Sequence, residues 1–144
     1  MLSEDDIKTV LYKVVMSDPV LSLIPEIEKD RHSPVEEGNV AERIVIVLPG
    51  GVDNGQFSRS FPRICIYVPY IEYVKADNTK YYKPNNKKLS EYGNYCIDKF
   101  RSGEYVKEHC CIYKLDTITT EDDPETWSSV LNVRLRFEVV NTKL

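Results

Sequence analysis

The sequence predicts an α+β domain, an antiparallel or mixed β-sheet of about four or five strands with two main α-helices packed on one face. Three observations lead there. Apolar residues recur at helical spacing over 7–15 and 89–100, which marks two amphipathic helices. β-Branched or alternating apolar runs occupy 44–48, 61–74, 109–120 and 131–139, which marks strands. The resulting order is helix, strand, strand, helix, strand, strand, with no internal repeat and no linker, so the 144 residues read as one domain spanning 1–144.

Each element follows from local chemistry. Ser3, with Asp6 three residues on, is a weak capping box for the first helix, and Glu4, Asp5 and Asp6 suit the positive end of its dipole. Ser17-Asp18-Pro19 ends that helix, because the residue before proline avoids the helical region. Val20, Leu21, Leu23 and Ile24 form a short second turn closed by Pro25. Residues 26–41 are polar and broken by Pro34 and Gly38, which reads as a surface connection. The run 44–48 is a strand covered on both faces, stopped by Pro49-Gly50-Gly51. A long glycine-bearing loop to Ser60 follows. In the 61–74 strand region, Pro69 implies an edge, a bulge or a bend.

The stretch 75–88 holds five lysines with Tyr81, Tyr82 and Pro84, and reads equally as a hairpin or an open loop. Asn85 or Asn86 caps the second helix, whose buried stripe is Leu89, Tyr92, Gly93, Cys96, Ile97 and Phe100; Gly103 lies just past its end. Cys111, Tyr113 and Leu115 share one strand face, Thr117 to Thr120 has strand propensity, and 121–125 is an acidic turn. The final strand is the clearest: Leu131, Val133, Leu135, Phe137 and Val139 point one way, Asn132, Arg134, Arg136 and Glu138 the other.

Composition excludes several function classes. Nineteen Lys+Arg against 23 Asp+Glu give a net charge of −4, which argues against a generally basic nucleic-acid binder. No apolar run approaches the roughly 18 residues of a membrane span, and the acidic start is unlike a signal peptide. A soluble intracellular protein is expected, with its four cysteines reduced and structural.

No catalytic, metal or cofactor site emerges. On one strand face His109 and Cys111 would stand about 7 Å apart, too far for a nucleophile–base pair. With only two histidines, His32 and His109, a His-based zinc site would need recruited carboxylates or thiols, and the carboxylate pairs fall in caps and turns. Residues 49–55 lack the Gly-Lys-Ser/Thr ending of a phosphate loop. The Lys/Tyr-rich span 75–88 is the one candidate for single-stranded nucleic acid, and the acidic balance of the chain weighs against it. Phe57, Arg59, Tyr81, Tyr82, Arg134 and Arg136 are the candidate residues for a subunit or partner interface.

The opening helix followed by Ser17-Asp18-Pro19-Val20-Leu21-Ser22-Leu23-Ile24, the strand Phe61-Pro62-Arg63-Ile64-Cys65-Ile66-Tyr67-Val68, and the closing Val133-Arg134-Leu135-Arg136-Phe137-Glu138-Val139 resemble small phage tail-terminator and head–tail joining proteins. The resemblance covers most of the chain through short motifs. It implies a non-enzymatic virion subunit that forms a homo-oligomeric ring, commonly of six copies, with tail-tube and head-completion proteins as partners and neither cofactor nor membrane. Such a protein is cytoplasmic during assembly and then part of the virion. Tail terminator, neck component and prophage protein stay open within that reading. A protein-interaction module of another system, or a single-stranded nucleic-acid binder using 75–88, are the alternatives.

Overall fold

The structure, a computed structural model, describes residues 2–35, 40–48, 56–57 and 59–140. Strand β1 (Leu2–Ser3) leads directly into helix α1 (Glu4–Ser17). The Ser3 hydroxyl accepts the Asp6 N–H, and the Asp6 carboxylate accepts the Ser3 N–H, each at 3.0 Å. These reciprocal bonds satisfy donors that a helix start leaves open. They also hold the Asp6 carboxyl below its usual range. Ile7, Val10, Leu11 and Val15 form the buried stripe of α1. The helix stops at Asp18, ahead of Pro19, and a single 3-10 turn follows at Leu21–Leu23.

Strand β2 (Glu26–Lys29) then runs parallel to β3 (Arg43–Val47). This corrects the expectation that 26–41 is wholly a connection. Four residues with one apolar side chain, Ile27, carry no readable alternation; the open edge of β3 recruits them through the backbone. Strand β4 (Gln56–Phe57) pairs with β1, and β5 (Arg59–Ser60) and β6 (Arg63–Pro69) both pair with the last strand. Strands β7 (Ile71–Val74) and β8 (Lys80–Lys83) form a separate hairpin. Asn85 caps helix α2 (Asn86–Phe100), its side chain accepting the Lys88 N–H at 3.2 Å. Strands β9 (Glu104–Val106), β10 (Cys111–Asp123) and β11 (Ser128–Val139) complete the chain.

The α+β expectation with its smaller sheet is corrected by this topology. The described residues are mostly β, a curled, mixed seven-stranded sheet in the order β2-β3-β6-β11-β10-β9, with β5 beside β11, and among them are two α-helices. Among the described residues only the β2–β3 pairing is parallel. The extra strands are short or polar. Strand β10 is one continuous element of 13 residues where the sequence suggests a strand and an acidic turn. A bulge at Asp116 lets Leu115 pair with Leu135 while Thr117 pairs with Arg134, and it reverses which side chains face inward.

One face of the sheet holds the main core. Ile44, Ile46, Ile64, Ile66, Val68, Leu131, Val133, Leu135 and Phe137 pack there against the stripes of α1 and α2. Tyr113 stacks on Phe137 at 5.1 Å between ring centroids and leans toward Phe100 at 6.3 Å. Helix α1 spans between the two sheet edges. On one side Lys8 pairs with Asp30 and Lys29 lies over the Tyr12 ring; on the other, Thr9, Val10, Lys13 and Val14 line a groove against β9 and the turn after it.

The outer face carries a smaller cluster of Val45, Cys65 and Val130, with Val47 and Tyr67 packed on it. His32 folds over this cluster, its ring edge-on to Tyr67 at 4.4 Å. Arg43, 8% exposed, holds it there: Nη1 lies 3.2 Å from Glu28 Oε1, 3.2 Å from the Ser33 carbonyl and 3.3 Å from His32 Nδ1. Burial tends to raise the Glu28 carboxyl, but the Ser33 bonds and the Arg43 charge outweigh it and hold the group low. This polar cluster, centred on the buried Arg43, fastens the chain after β2 to the sheet.

Candidate functional site

The candidate residues separate into three places. Tyr81 and Tyr82 lie on the β7–β8 hairpin, which stands off the end of the sheet where Pro69 pairs with Ser128. Its turn closes through the Lys75 N–H to the Thr79 carbonyl at 2.9 Å and the Asn78 N–H to the Lys75 carbonyl at 2.9 Å. Asn78 takes φ 67°, a left-handed conformation that asparagine tolerates, and the Asp77 carboxylate accepts the Thr79 N–H at 2.9 Å.

Because adjacent strand residues point to opposite faces, the two tyrosines do different work. Tyr82 turns inward, its ring T-shaped against Trp127 at 5.0 Å, and the Tyr70 N–H reaches the Trp127 carbonyl at 3.0 Å. These contacts root the hairpin. Tyr81 shares the other face with Ile71, Tyr73 and Lys83. Tyr73 and Tyr81 stack at 5.2 Å, with Lys83 over both rings and Lys75 over Tyr81 at 5.6 Å. The stack and its lysines occupy ring faces that a nucleobase would need. Ile71, Tyr73 and Val74 are 37%, 39% and 59% exposed, so this hairpin presents apolar surface to solvent.

Arg59, Arg134 and Arg136 lie on the outer face of the sheet. Arg59 Nε is 2.9 Å and Arg136 Nε 3.5 Å from Glu138 Oε1. Arg134 Nε is 3.2 Å from Asp116 Oδ2, on the bulge, and its guanidinium lies 4.4 Å from the Phe61 ring centroid. The three arginines form a ladder of surface ion pairs, a modest energetic contribution. The Phe57 backbone pairs with Leu2 in β4; its side chain lies outside the described residues, as do 49–55 of the glycine-bearing loop.

The cysteine–histidine cluster dissolves. His109 ends a 3-10 turn (Lys107–His109), and Cys110 caps it in the left-handed region with φ 47°, exposed. The expectation that His109 and Cys111 share a strand face is therefore corrected, because β10 begins only at Cys111. Cys111 is buried under the helices, and Cys65 sits 3.4 Å from Asn132 Oδ1. Burial pushes the Cys65 thiol up to about 11 and the Cys96 thiol to about 12, and it raises Cys111 as well. An aromatic disulfide reagent added to the native protein is expected to label Cys110 alone. The other three cysteines should react only on unfolding, a pattern read by counting released thiolate before and after denaturant.

Two grooves flank the helices. One, of about 490 Å³, is lined by Val20, Leu23, Pro25, Glu42, Tyr92 and Tyr95 among others. Tyr92 donates to Glu42 at its rim, and burial together with that carboxylate raises the phenol. The other, of about 300 Å³, lies between α1 and β9. Among the described residues no three His, Cys, Asp or Glu side chains are grouped to hold a metal ion, and no helix is long and apolar enough to cross a membrane.

The sequence does not reveal the polar side chain that, among the described residues, gathers the most hydrogen-bond partners. Asp18, 2% exposed, accepts the Val20 and Leu21 N–H groups at 3.0 and 2.8 Å, the Tyr95 hydroxyl at 2.7 Å and the Lys99 ammonium at 2.8 Å. An Asp-Pro followed by apolar residues signals the local half of this arrangement; the half on α2 has no local signal. No protein-family model matches the chain, and no curated protein matches it in sequence.

Proposed function

We propose that this chain is a non-enzymatic structural subunit of a phage or prophage virion, self-associating head to tail into a ring at the head–tail junction. One observation carries the reading beyond the motif resemblance: exposed apolar side chains gather at both ends of the longest strand pair. Ile71, Tyr73 and Val74 lie on the hairpin beside Ser128, and Tyr105 and Ile112, 52% and 41% exposed, are cross-strand neighbours at the Val139 end. Two different patches at opposite ends favour a heterologous contact, which closes into a ring when successive copies rotate. Met16 and Leu23, also exposed, offer further surface at the end of α1 for a tail-tube or head-completion partner. In this role the protein assembles in the cytoplasm and remains in the virion.

Sedimentation or light scattering over a concentration series tests it. A mass several-fold above the 16.7 kDa of one chain is expected. A monomer at the highest soluble concentration, alone and with tail-tube and head-completion proteins, overturns the reading.

A further inference from the structure

The groove between α1 and β9 has the form of a strand-receiving slot. One wall is β9, which pairs with β10 on one side and, among the described residues, with no strand on the other. The opposite wall is α1, and Val10, Val14, Val106 and Tyr113 supply apolar lining. An open strand edge beside a helix, with apolar pockets for alternate side chains, is a recurring geometry for β-strand addition. The charged groups on its rim are Glu104 and Glu108 on the strand side, Lys13 on the helix side, and His109.

The β7–β8 hairpin supplies a matching strand. Ile71 and Tyr73 alternate on β7, apolar and exposed, and Lys75 and Lys83 flank them. These cations complement Glu104 and Glu108. The hairpin cannot reach the slot of its own chain. It is rooted at Trp127, whereas β9 lies beside the stretch of β10 that pairs with Phe137 and Val139. The intervening length of β11 spans roughly 30 Å, and the hairpin strands extend about 13 Å. A second copy must provide the occupant.

We propose that β7 of one copy adds to the β9 edge of the next, with Ile71 and Tyr73 seated in the slot between α1 and β9. The inference rests on the ring reading above and names the surfaces through which the ring closes. Each chain then gives a hairpin at one end and receives one at the other.

A mixing experiment tests it. The hairpin variant carries Ile71→Ser with Tyr73→Ser; the slot variant carries Glu104→Lys with Glu108→Lys. All four positions are exposed or partly exposed. Wild-type protein that runs as an oligomer while each variant alone runs as a monomer is expected. An equimolar mixture should then give a species of twice the monomer mass and nothing larger, since it retains one intact hairpin and one intact slot. Recovery of that dimer also shows that both variants fold. A variant that keeps the wild-type mass overturns the pairing while leaving the ring reading intact, and so does a mixture that stays monomeric. A monomeric wild type overturns both. Zero-length carbodiimide cross-linking of mixed ¹⁴N and ¹⁵N wild-type protein gives an independent reading. Isotopically mixed links joining Lys75 or Lys83 to Glu104 or Glu108 are expected, and intercopy links found only elsewhere overturn the proposal.

Discussion

Asp18→Ala is expected to cost about 3 kcal/mol or more of folding stability, among the largest losses available to a single polar side chain here. The carboxylate is buried and receives two backbone N–H groups, a tyrosine hydroxyl and an ammonium. Alanine leaves all of these donors without their acceptor in a site that excludes much of the solvent. The contacts also join α1 to α2, because the two N–H groups belong to the 3-10 turn after α1 and Tyr95 and Lys99 to α2. Asp18→Asn keeps one acceptor oxygen but loses the charge, so it should lie between wild type and alanine. Denaturant midpoints at unchanged m-value measure the series. A loss below about 1 kcal/mol for alanine would show that α1 and α2 are held together by apolar packing alone.

The same site makes a pH statement. Burial acts to raise the Asp18 carboxyl, but the hydrogen bonds from Leu21, Lys99, Tyr95 and Val20 together win, and the group sits below the usual aspartate value of 3.8. A folded value below the unfolded one means the stabilisation is complete above the unfolded value and is lost as pH falls through the folded one. The stability gap between wild type and Asp18→Asn should therefore be full near neutral pH and narrow below about pH 4. Tyr95 shows the reciprocal effect: burial and the Asp18 carboxylate push its phenol up to about 12.

Elements with their own apolar period are legible in the sequence, and elements held by a neighbour are not. Helices α1 and α2 and strands β3, β6 and β11 each carry a stripe or an alternation long enough to read. Strands β2 and β9 are four and three residues long, and their strand character comes from the backbone of the strand they adjoin. The last residues of β10 are hidden for another reason. Threonines mark 117–120 as strand, but Glu121, Asp122 and Asp123 carry neither apolar nor β-branched side chains, so nothing local shows that they too pair with β11.

The candidate interface divides along the same line. Tyr81 and Tyr82 are neighbours in sequence and opposites in space, one stacked on Tyr73 and one against Trp127. Strand alternation foretells that split only once the hairpin is known. The partners of Arg134 and Arg136 follow from strand register and a bulge. Asp18 and Tyr95 are 77 residues apart, so only the packing of the helices brings them together. Tyr105, Ile112 and the slot beneath them have no mark in the sequence, because the three residues of β9 carry no strand signal of their own.

The largest apolar effect is expected at Phe137. Its ring is wholly buried and stacks on Tyr113 with an interplanar angle of 18°. Tyr113 in turn meets Phe100 near the end of α2, so Phe137 anchors a chain of rings linking β11, β10 and the helix layer. Truncation to alanine removes the ring and leaves a cavity that two strands and a helix cannot readily close, a loss of about 3–5 kcal/mol. Phe137→Leu keeps much of the volume and should cost about 1–2 kcal/mol. The cavity has a second consequence, because Tyr113 also lines the slot between α1 and β9. With its stacking partner gone, Tyr113 gains freedom to shift, and the floor of the slot loses its shape. Phe137→Ala should therefore weaken self-association at temperatures where the fold still holds, whereas Ile46→Ala, equally buried on the same face but in β3, toward the sheet edge opposite β9, should lower stability and leave association of the folded chain intact. Parallel unfolding and mass measurements on the two variants separate these effects. Equal loss of association in both would mean that assembly follows overall stability and does not depend on the shape of the slot.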